Sequence, residues 1–169
     1  MNKATPAPHT ARIGVDIGRV IIDGHGQTDT PFLGTTDELA MLSPAVDGSF
    51  DAVAELLERT EGAVWLVSKC GPGIEHRTRL WLEHHDFFGL TGMDRSHALF
   101  CRERRQKTPI AKGLGLTHFV DDRHDVLEPM VGVVGHLLHF GAPAGPPRSL
   151  GLVPAPTWDH ALDVIRPTL

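Results

Sequence analysis

Five polar side chains of this sequence could together bind and transfer a phosphoryl group. They are carboxylates, a hydroxyl and an ammonium group: Asp16, Ser68, Lys107, Asp121 and Asp122. The carboxylates and the hydroxyl end apolar runs, and Lys107 precedes the helical segment that leads into the last of these runs. A carboxylate can act as a nucleophile and form a covalent intermediate, while a hydroxyl and an ammonium group can hold phosphoryl oxygens. Further carboxylates suit Mg²⁺, which prefers oxygen ligands and often combines one or two carboxylates with substrate phosphate.

The apolar runs beside these side chains are typical of buried parallel strands. Five strands are predicted, at residues 11–17, 63–69, 98–101, 117–122 and 133–140. Segments with helical spacing lie between or after them, at residues 49–60, 74–88, 125–131 and 158–165, and a further short helix is predicted to begin at Thr108-Pro109. This alternation predicts an α/β fold, a three-layer Rossmann-like doubly wound parallel sheet with helices on both faces. Because ligands bind at the carboxyl ends of such strands, the five polar side chains are expected to meet at one edge of the sheet.

Length and composition limit the classes of protein. The 169 residues suit one domain, and we expect a flexible N-terminal tail at 1–10 followed by a single domain at 11–169. The net charge of −5 argues against a nucleic-acid surface. No apolar run is long enough to span a bilayer, and the two cysteines form no disulfide framework or zinc motif. We therefore expect a cytoplasmic protein that acts on a small or macromolecular phosphorylated substrate.

The segment 24–43 is polar and longer than most connections between elements. It is predicted to be a long loop or a small lid, with Gly24 and Gly26 as hinges. Residues 141–157 contain five prolines and are predicted to form an ordered loop or crossover.

The ordered set of motifs resembles the haloacid dehalogenase (HAD) superfamily over residues 12–140. The match rests on Asp16 in Val-Asp-Ile-Gly-Arg-Val, Ser68 at the end of Val-Trp-Leu-Val-Ser, Lys107, and the acid pair in Phe-Val-Asp-Asp-Arg. The resemblance implies that Asp16 is a nucleophile that becomes phosphorylated, that Ser68 and Lys107 bind the phosphoryl group, and that Asp121 and Asp122 help to hold Mg²⁺. It also implies the strand order 5-4-1-2-3, with the first strand central.

One position departs from the resemblance. Phosphatases of the superfamily carry a second aspartate two residues after the nucleophile, as general acid and base, and Gly18 stands there. Loss of such a proton shuttle costs about 10² to 10⁴ in rate. By resemblance Mg²⁺ is bound through the backbone carbonyl at this position, which Gly18 keeps. Asp23 and His25 are possible substitutes.

These residues are compatible with two functions. The first is a Mg²⁺-dependent phosphatase or phosphotransferase, and the second is a catalytically reduced binding or regulatory protein that retains the phosphate and metal site. Lys112 is the alternative to Lys107. Neither position where the superfamily inserts a cap has room for a full one, so the site is expected to be open, or covered by a second subunit in a homo-oligomer.

Overall fold

The computed structural model describes residues 10–24, 33–147 and 151–169. Its strands are β1 (Ile13–Val15), β2 (Val64–Lys69), β3 (Ala98–Cys101), β4 (His118–Asp121), β5 (His136–Phe140) and β6 (Val153–Ala155). Its α-helices are α1 (Asp37–Met41), α2 (Ser49–Arg59), α3 (Pro72–His84), α4 (Phe87–Thr91), α5 (Lys107–Leu114), α6 (His124–Leu127) and α7 (Trp158–Ile165). Short 3₁₀ turns lie at Arg95–His97, Arg104–Gln106, Glu128–Met130 and Arg166–Thr168.

The strands form one six-stranded sheet in the order β3-β2-β1-β4-β5-β6, and every neighbouring pair is parallel. The predicted α/β class is confirmed, and so is the order 5-4-1-2-3, which is the same order read from the other edge. Strands β2 and β3 are added on one side of β1, and β4, β5 and β6 are added on its other side, so the order of strands switches between β1 and β4. Ligands of doubly wound sheets bind outside the carboxyl ends of the strands at this kind of point.

Alternate residues of the central strands pack on opposite faces of the sheet. Val15 and Val120 belong to a buried cluster with residues of α2, α3 and α7, whereas Val67 and Phe119 belong to a second cluster with residues of α5 and α6. Buried parallel strands are apolar on both faces for this reason. The result is the predicted three-layer arrangement, with the sheet as its central layer.

Gly14 of β1 leaves room for two side chains of the buried cluster that includes residues of α5 and α6. A Cβ atom at this position would lie 2.6 Å from side-chain atoms of both Leu116 and Phe119. The strand that leads to Asp16 can therefore approach these side chains only because residue 14 has no side chain.

Three sequence-based expectations need correction or refinement. The helix predicted at 74–88 is two helices, α3 and α4, because Asp86 adopts a left-handed backbone with φ +50°. The loop predicted at 141–157 contains β6. This strand lies at the edge of the described sheet and pairs with β5, and an edge strand tolerates a proline such as Pro154 because one of its sides needs no hydrogen-bond donors.

The segment 24–43 contains helix α1. The helix starts where the Thr36 hydroxyl accepts a hydrogen bond from the Leu39 N–H at 3.2 Å. Gly26, one of the two hinges expected for a lid, lies outside the described residues, as does His25. No helix of the described ranges is long and apolar enough to cross a membrane.

Candidate active site

The sheet brings the predicted residues to one edge. Asp16 directly follows β1, and its backbone N–H donates to the Val120 carbonyl of β4 at 2.9 Å. Asp121 is the last residue of β4, and Ser68 is the second-to-last residue of β2, at the same edge. These positions follow from the parallel register of β1 with its two neighbours, which puts the three strand ends side by side.

Lys107, the first residue of α5, joins two of the carboxylates. Its Nζ lies 2.9 Å from Asp16 Oδ1 and 2.8 Å from Asp121 Oδ2. The lysine side chain is 2% exposed and the Asp121 side chain is fully buried. The other oxygen of Asp121, Oδ1, accepts a hydrogen bond from the Arg123 backbone N–H at 2.9 Å. Lys107 is therefore the lysine of this site, whereas Lys112 is an exposed residue of the same helix.

The ionisation of the cluster reflects burial and mutual repulsion. Burial, followed by repulsion from Asp16, raises the pKa of Asp121, and Lys107 opposes this shift. The same two causes raise the pKa of Asp122 to about 6. Burial disfavours the charged form of Lys107, but attraction to both carboxylates outweighs it and raises the pKa of the lysine. Three carboxylates therefore lie close together beside one buried ammonium group, and their mutual repulsion disfavours full ionisation of the cluster.

A bound divalent cation would relieve this repulsion. Asp16, Asp121 and Asp122 each offer a carboxylate oxygen, and these oxygens all lie within 4.8 Å of one another. An all-oxygen donor set of this kind fits Mg²⁺. Asp122 is the most exposed of the three carboxylates, at 16%, and its Oδ2 lies 3.8 Å from the Arg19 guanidinium.

A cavity of about 160 Å³ opens beside these groups. It is lined by residues of the carboxyl edge and of α3, α5 and α6: Asp16, Ile17, Gly18, Ser68, Lys69, Cys70, Ile74, Thr78, Arg104, Lys107, Arg123 and Val126. Ser68 and Lys107 therefore share one cavity with Asp16. Burial raises the pKa of the Cys70 thiol to about 11, so this cysteine is protonated near neutral pH.

Two arginines of this cavity were not assigned to the site from the sequence. Arg104 belongs to the basic, polar run 102–107, a pattern typical of a solvated loop that contacts an anionic substrate in the minority of cases, and a 3₁₀ turn brings this arginine to the cavity. Arg123 directly follows the acid pair and also lines the cavity. Its position two residues beyond a strand end was a signal that could have identified it.

Gly18 lies in a tight turn just after Asp16. The Ile17 carbonyl accepts backbone hydrogen bonds from Ile21 at 2.8 Å and Ile22 at 3.1 Å, and Gly18 pairs with Ile22 in an isolated bridge. Positive φ in this turn falls on Arg19 (φ +61°) and not on Gly18. The backbone conformation of residue 18 is therefore open to other amino acids. Asp23, the suggested substitute acid, is not among the residues that line the cavity.

Comparison with known proteins supports the fold. A crystal structure of a haloacid dehalogenase-like family hydrolase from Xanthomonas campestris superimposes with a TM-score of 0.62 and covers 93% of this chain and 95% of that chain. The two sequences are 11% identical, so the likeness concerns the fold alone. No family model matches this sequence, and no curated protein matches it significantly.

Proposed function

We propose that this protein is a HAD-like hydrolase, a Mg²⁺-dependent phosphatase or phosphotransferase that forms an aspartyl-phosphate on Asp16. One observation carries the proposal: the Lys107 ammonium lies between Asp16 and Asp121 at the carboxyl edge of the sheet, in a cavity shared with Ser68. A nucleophile, two groups for phosphoryl oxygens and a carboxylate cluster for a cation are the parts that this chemistry needs.

The chain's own residues support a two-step transfer. Lys107 contacts the Asp16 carboxylate at 2.9 Å, and an oxygen of this carboxylate attacks phosphorus. The bond from Asp16 to phosphorus forms as the bond from phosphorus to the substrate oxygen breaks. Lys107 and Ser68 hold the phosphoryl oxygens during transfer, and water or an acceptor alcohol then takes the phosphoryl group from Asp16.

The proposed metal ligands are Asp16, Asp121, Asp122 and the Gly18 carbonyl. When bound, Mg²⁺ would neutralise charge on the transferring phosphoryl group. Asp121 is fixed for this role by its hydrogen bonds from Lys107 and the Arg123 backbone. Solvent donates the proton to the leaving oxygen, because Gly18 has no acidic side chain that could donate it.

Phosphate release from a broad panel of phosphomonoesters tests the proposal. Wild type should release phosphate only with Mg²⁺, and Asp16→Asn should abolish the release. Asp163→Asn is a matched control, because Asp163 lies in α7 with a side chain that is 76% exposed, and it should retain wild-type activity. No Mg²⁺-dependent release above the Asp16→Asn level across the panel would exclude the enzyme.

A binding or regulatory protein is the second candidate, and Gly18 is the observation that favours it. Such a protein would bind Mg²⁺ and the phosphoryl mimic beryllofluoride without measurable turnover. Asp16→Asn should then weaken beryllofluoride binding, which calorimetry would measure. We also propose a cytoplasmic location, since Cys70 and Cys101 are buried free thiols, as expected in a reducing compartment.

A further inference from the structure

The cavity beside Asp16 is lined by more cationic side chains than the proposed phosphoryl transfer uses. Four cationic side chains line it, Lys69, Arg104, Lys107 and Arg123, against the single carboxylate of Asp16. Lys107 contacts Asp16 and Asp121 and is one of the two groups proposed to hold the phosphoryl oxygens. The other three cations have no part in the proposed transfer step, so their presence needs another explanation.

The two arginines share one counter-ion. Arg123 donates to both oxygens of Asp125, from Nε at 2.9 Å and from Nη2 at 3.2 Å. Arg104 approaches the same carboxylate only through Nη1 at 3.6 Å, beyond a normal hydrogen bond. One carboxylate therefore serves two guanidinium groups, and the pair keeps a net positive charge. Both side chains are partly exposed, at 45% for Arg104 and 42% for Arg123, and accessible to a ligand.

The rest of the cavity limits the size of the ligand. Its volume of about 160 Å³ is smaller than the pockets of about 300–1,000 Å³ that enclose drug-sized ligands. Ile74 and Val126 give the wall an apolar part. The space suits a phosphoryl group joined by a short carbon chain to another small group.

We propose that Arg104 and Arg123 form a subsite for a second anionic group, so that the substrate is a small phosphomonoester that also carries a carboxylate or a second phosphate. This inference rests on the proposed function, since it assigns the substrate class of the same cavity. Guanidinium groups suit such a role because their fork of N–H donors matches the oxygens of carboxylate and phosphate. Lys69 adds positive charge at the cavity wall.

Alkyl phosphonates test the subsite without turnover, because their carbon–phosphorus bond is not a phosphate ester. The probes are propylphosphonate, which has no second anion, 3-phosphonopropionate, which adds a carboxylate, and propane-1,3-bisphosphonate, which adds a second phosphonate. Calorimetry at fixed free Mg²⁺ would give the dissociation constant of each with the wild-type protein. At least one doubly anionic probe should bind about tenfold more tightly than propylphosphonate, and added salt should reduce this preference.

Variants assign the preference to the arginine pair. Arg104→Gln and Arg123→Gln should each reduce the preference for the doubly anionic probe over propylphosphonate to less than about threefold. Arg123→Gln keeps the backbone N–H that donates a hydrogen bond to Asp121. Arg105→Gln is the matched control, because Arg105 is 82% exposed and does not line the cavity. Asp125→Asn should increase the preference, since it removes the competing carboxylate.

Each possible result of these binding experiments either supports or overturns the subsite. A preference for the carboxylate probe or for the bisphosphonate supports the subsite and identifies which anion it accepts. Equal affinities, no measurable binding of any probe, or a preference that survives in both arginine variants would overturn the inference. Failure of the proposed function appears elsewhere, as absent phosphate release by wild type relative to Asp16→Asn, so the two failures are distinguishable.

Discussion

Replacement of Lys107 by methionine should destabilise this protein more than any change at an exposed lysine. Methionine keeps much of the side-chain volume but removes the ammonium group that contacts Asp16 at 2.9 Å and Asp121 at 2.8 Å. Both contacts are buried, and the Asp121 side chain has no exposed surface. Removal of one partner of a buried ion pair typically costs about 3–5 kcal/mol, because the remaining charge stays buried without compensation.

Urea unfolding at neutral pH with a chelator present would measure the free energy of unfolding. We expect Lys107→Met to lose about 3–5 kcal/mol and Lys112→Met, an exposed change in the same helix, to stay within about 0.5 kcal/mol of wild type. Mg²⁺ should restore part of the loss in Lys107→Met, since a cation bound only to the folded state stabilises it.

Equal stability of the two lysine variants would refute this reasoning. It would mean that the Lys107 ammonium does not compensate the buried carboxylates of Asp16 and Asp121. If Lys107→Met is much less stable than wild type and Mg²⁺ does not raise its free energy of unfolding, the acid cluster does not bind the cation. The role of Lys107 would still stand.

Three further predictions concern other positions. Gly18→Asp should raise Mg²⁺-dependent phosphate release by about 10² to 10⁴, because it supplies a general acid and base; Gly18→Asn, which cannot transfer a proton in this way, should give no such gain, and equal rates for the two variants would contradict the role assigned to residue 18. Gly14→Ala should cost about 1–3 kcal/mol in urea unfolding, because its Cβ would lie 2.6 Å from Leu116 and Phe119, and an unchanged stability would show that the neighbours move aside. Burial, followed by repulsion from a neighbouring histidine, lowers the pKa of His118 from 6.5 to about 4, so the unfolded chain binds more protons between these values and wild type should lose stability as the pH falls through that range. The part due to His118 is about 2 kcal/mol between pH 7 and 4.5; it should be absent in His118→Asn, and identical pH dependence in the two proteins would contradict it.

Strand ends were the part of the site that the sequence could predict. The apolar runs before Asp16, Ser68 and Asp121 have the composition of buried strands, and parallel strands bring their carboxyl ends to one edge. Lys107 followed from its place before the helix that leads into β4. The structure adds its contacts with both acids, which no spacing along the chain could give.

Side chains outside strand ends were harder to predict. Arg104 lies in a run of mixed charge, and only the 3₁₀ turn at 104–106 brings it to the cavity. The break between α3 and α4 depends on the left-handed backbone of Asp86, a conformation that a non-glycine residue rarely adopts. Strand β6 was missed because proline is unfavourable within sheets, although a strand with one partner tolerates it.

Chemical trapping of the phosphorylated protein tests the central claim most directly. Wild-type protein would be incubated with Mg²⁺ and a substrate identified from the panel, treated with borohydride, which reduces an acyl phosphate to the alcohol, and digested for mass spectrometry. We expect the peptide that contains Asp16 to carry homoserine at residue 16 and the Asp16→Asn protein to carry none. Phosphate release by wild type without modification at Asp16, or with modification at another carboxylate such as Asp121 or Asp122, would contradict the assignment of Asp16 as the phosphoryl acceptor.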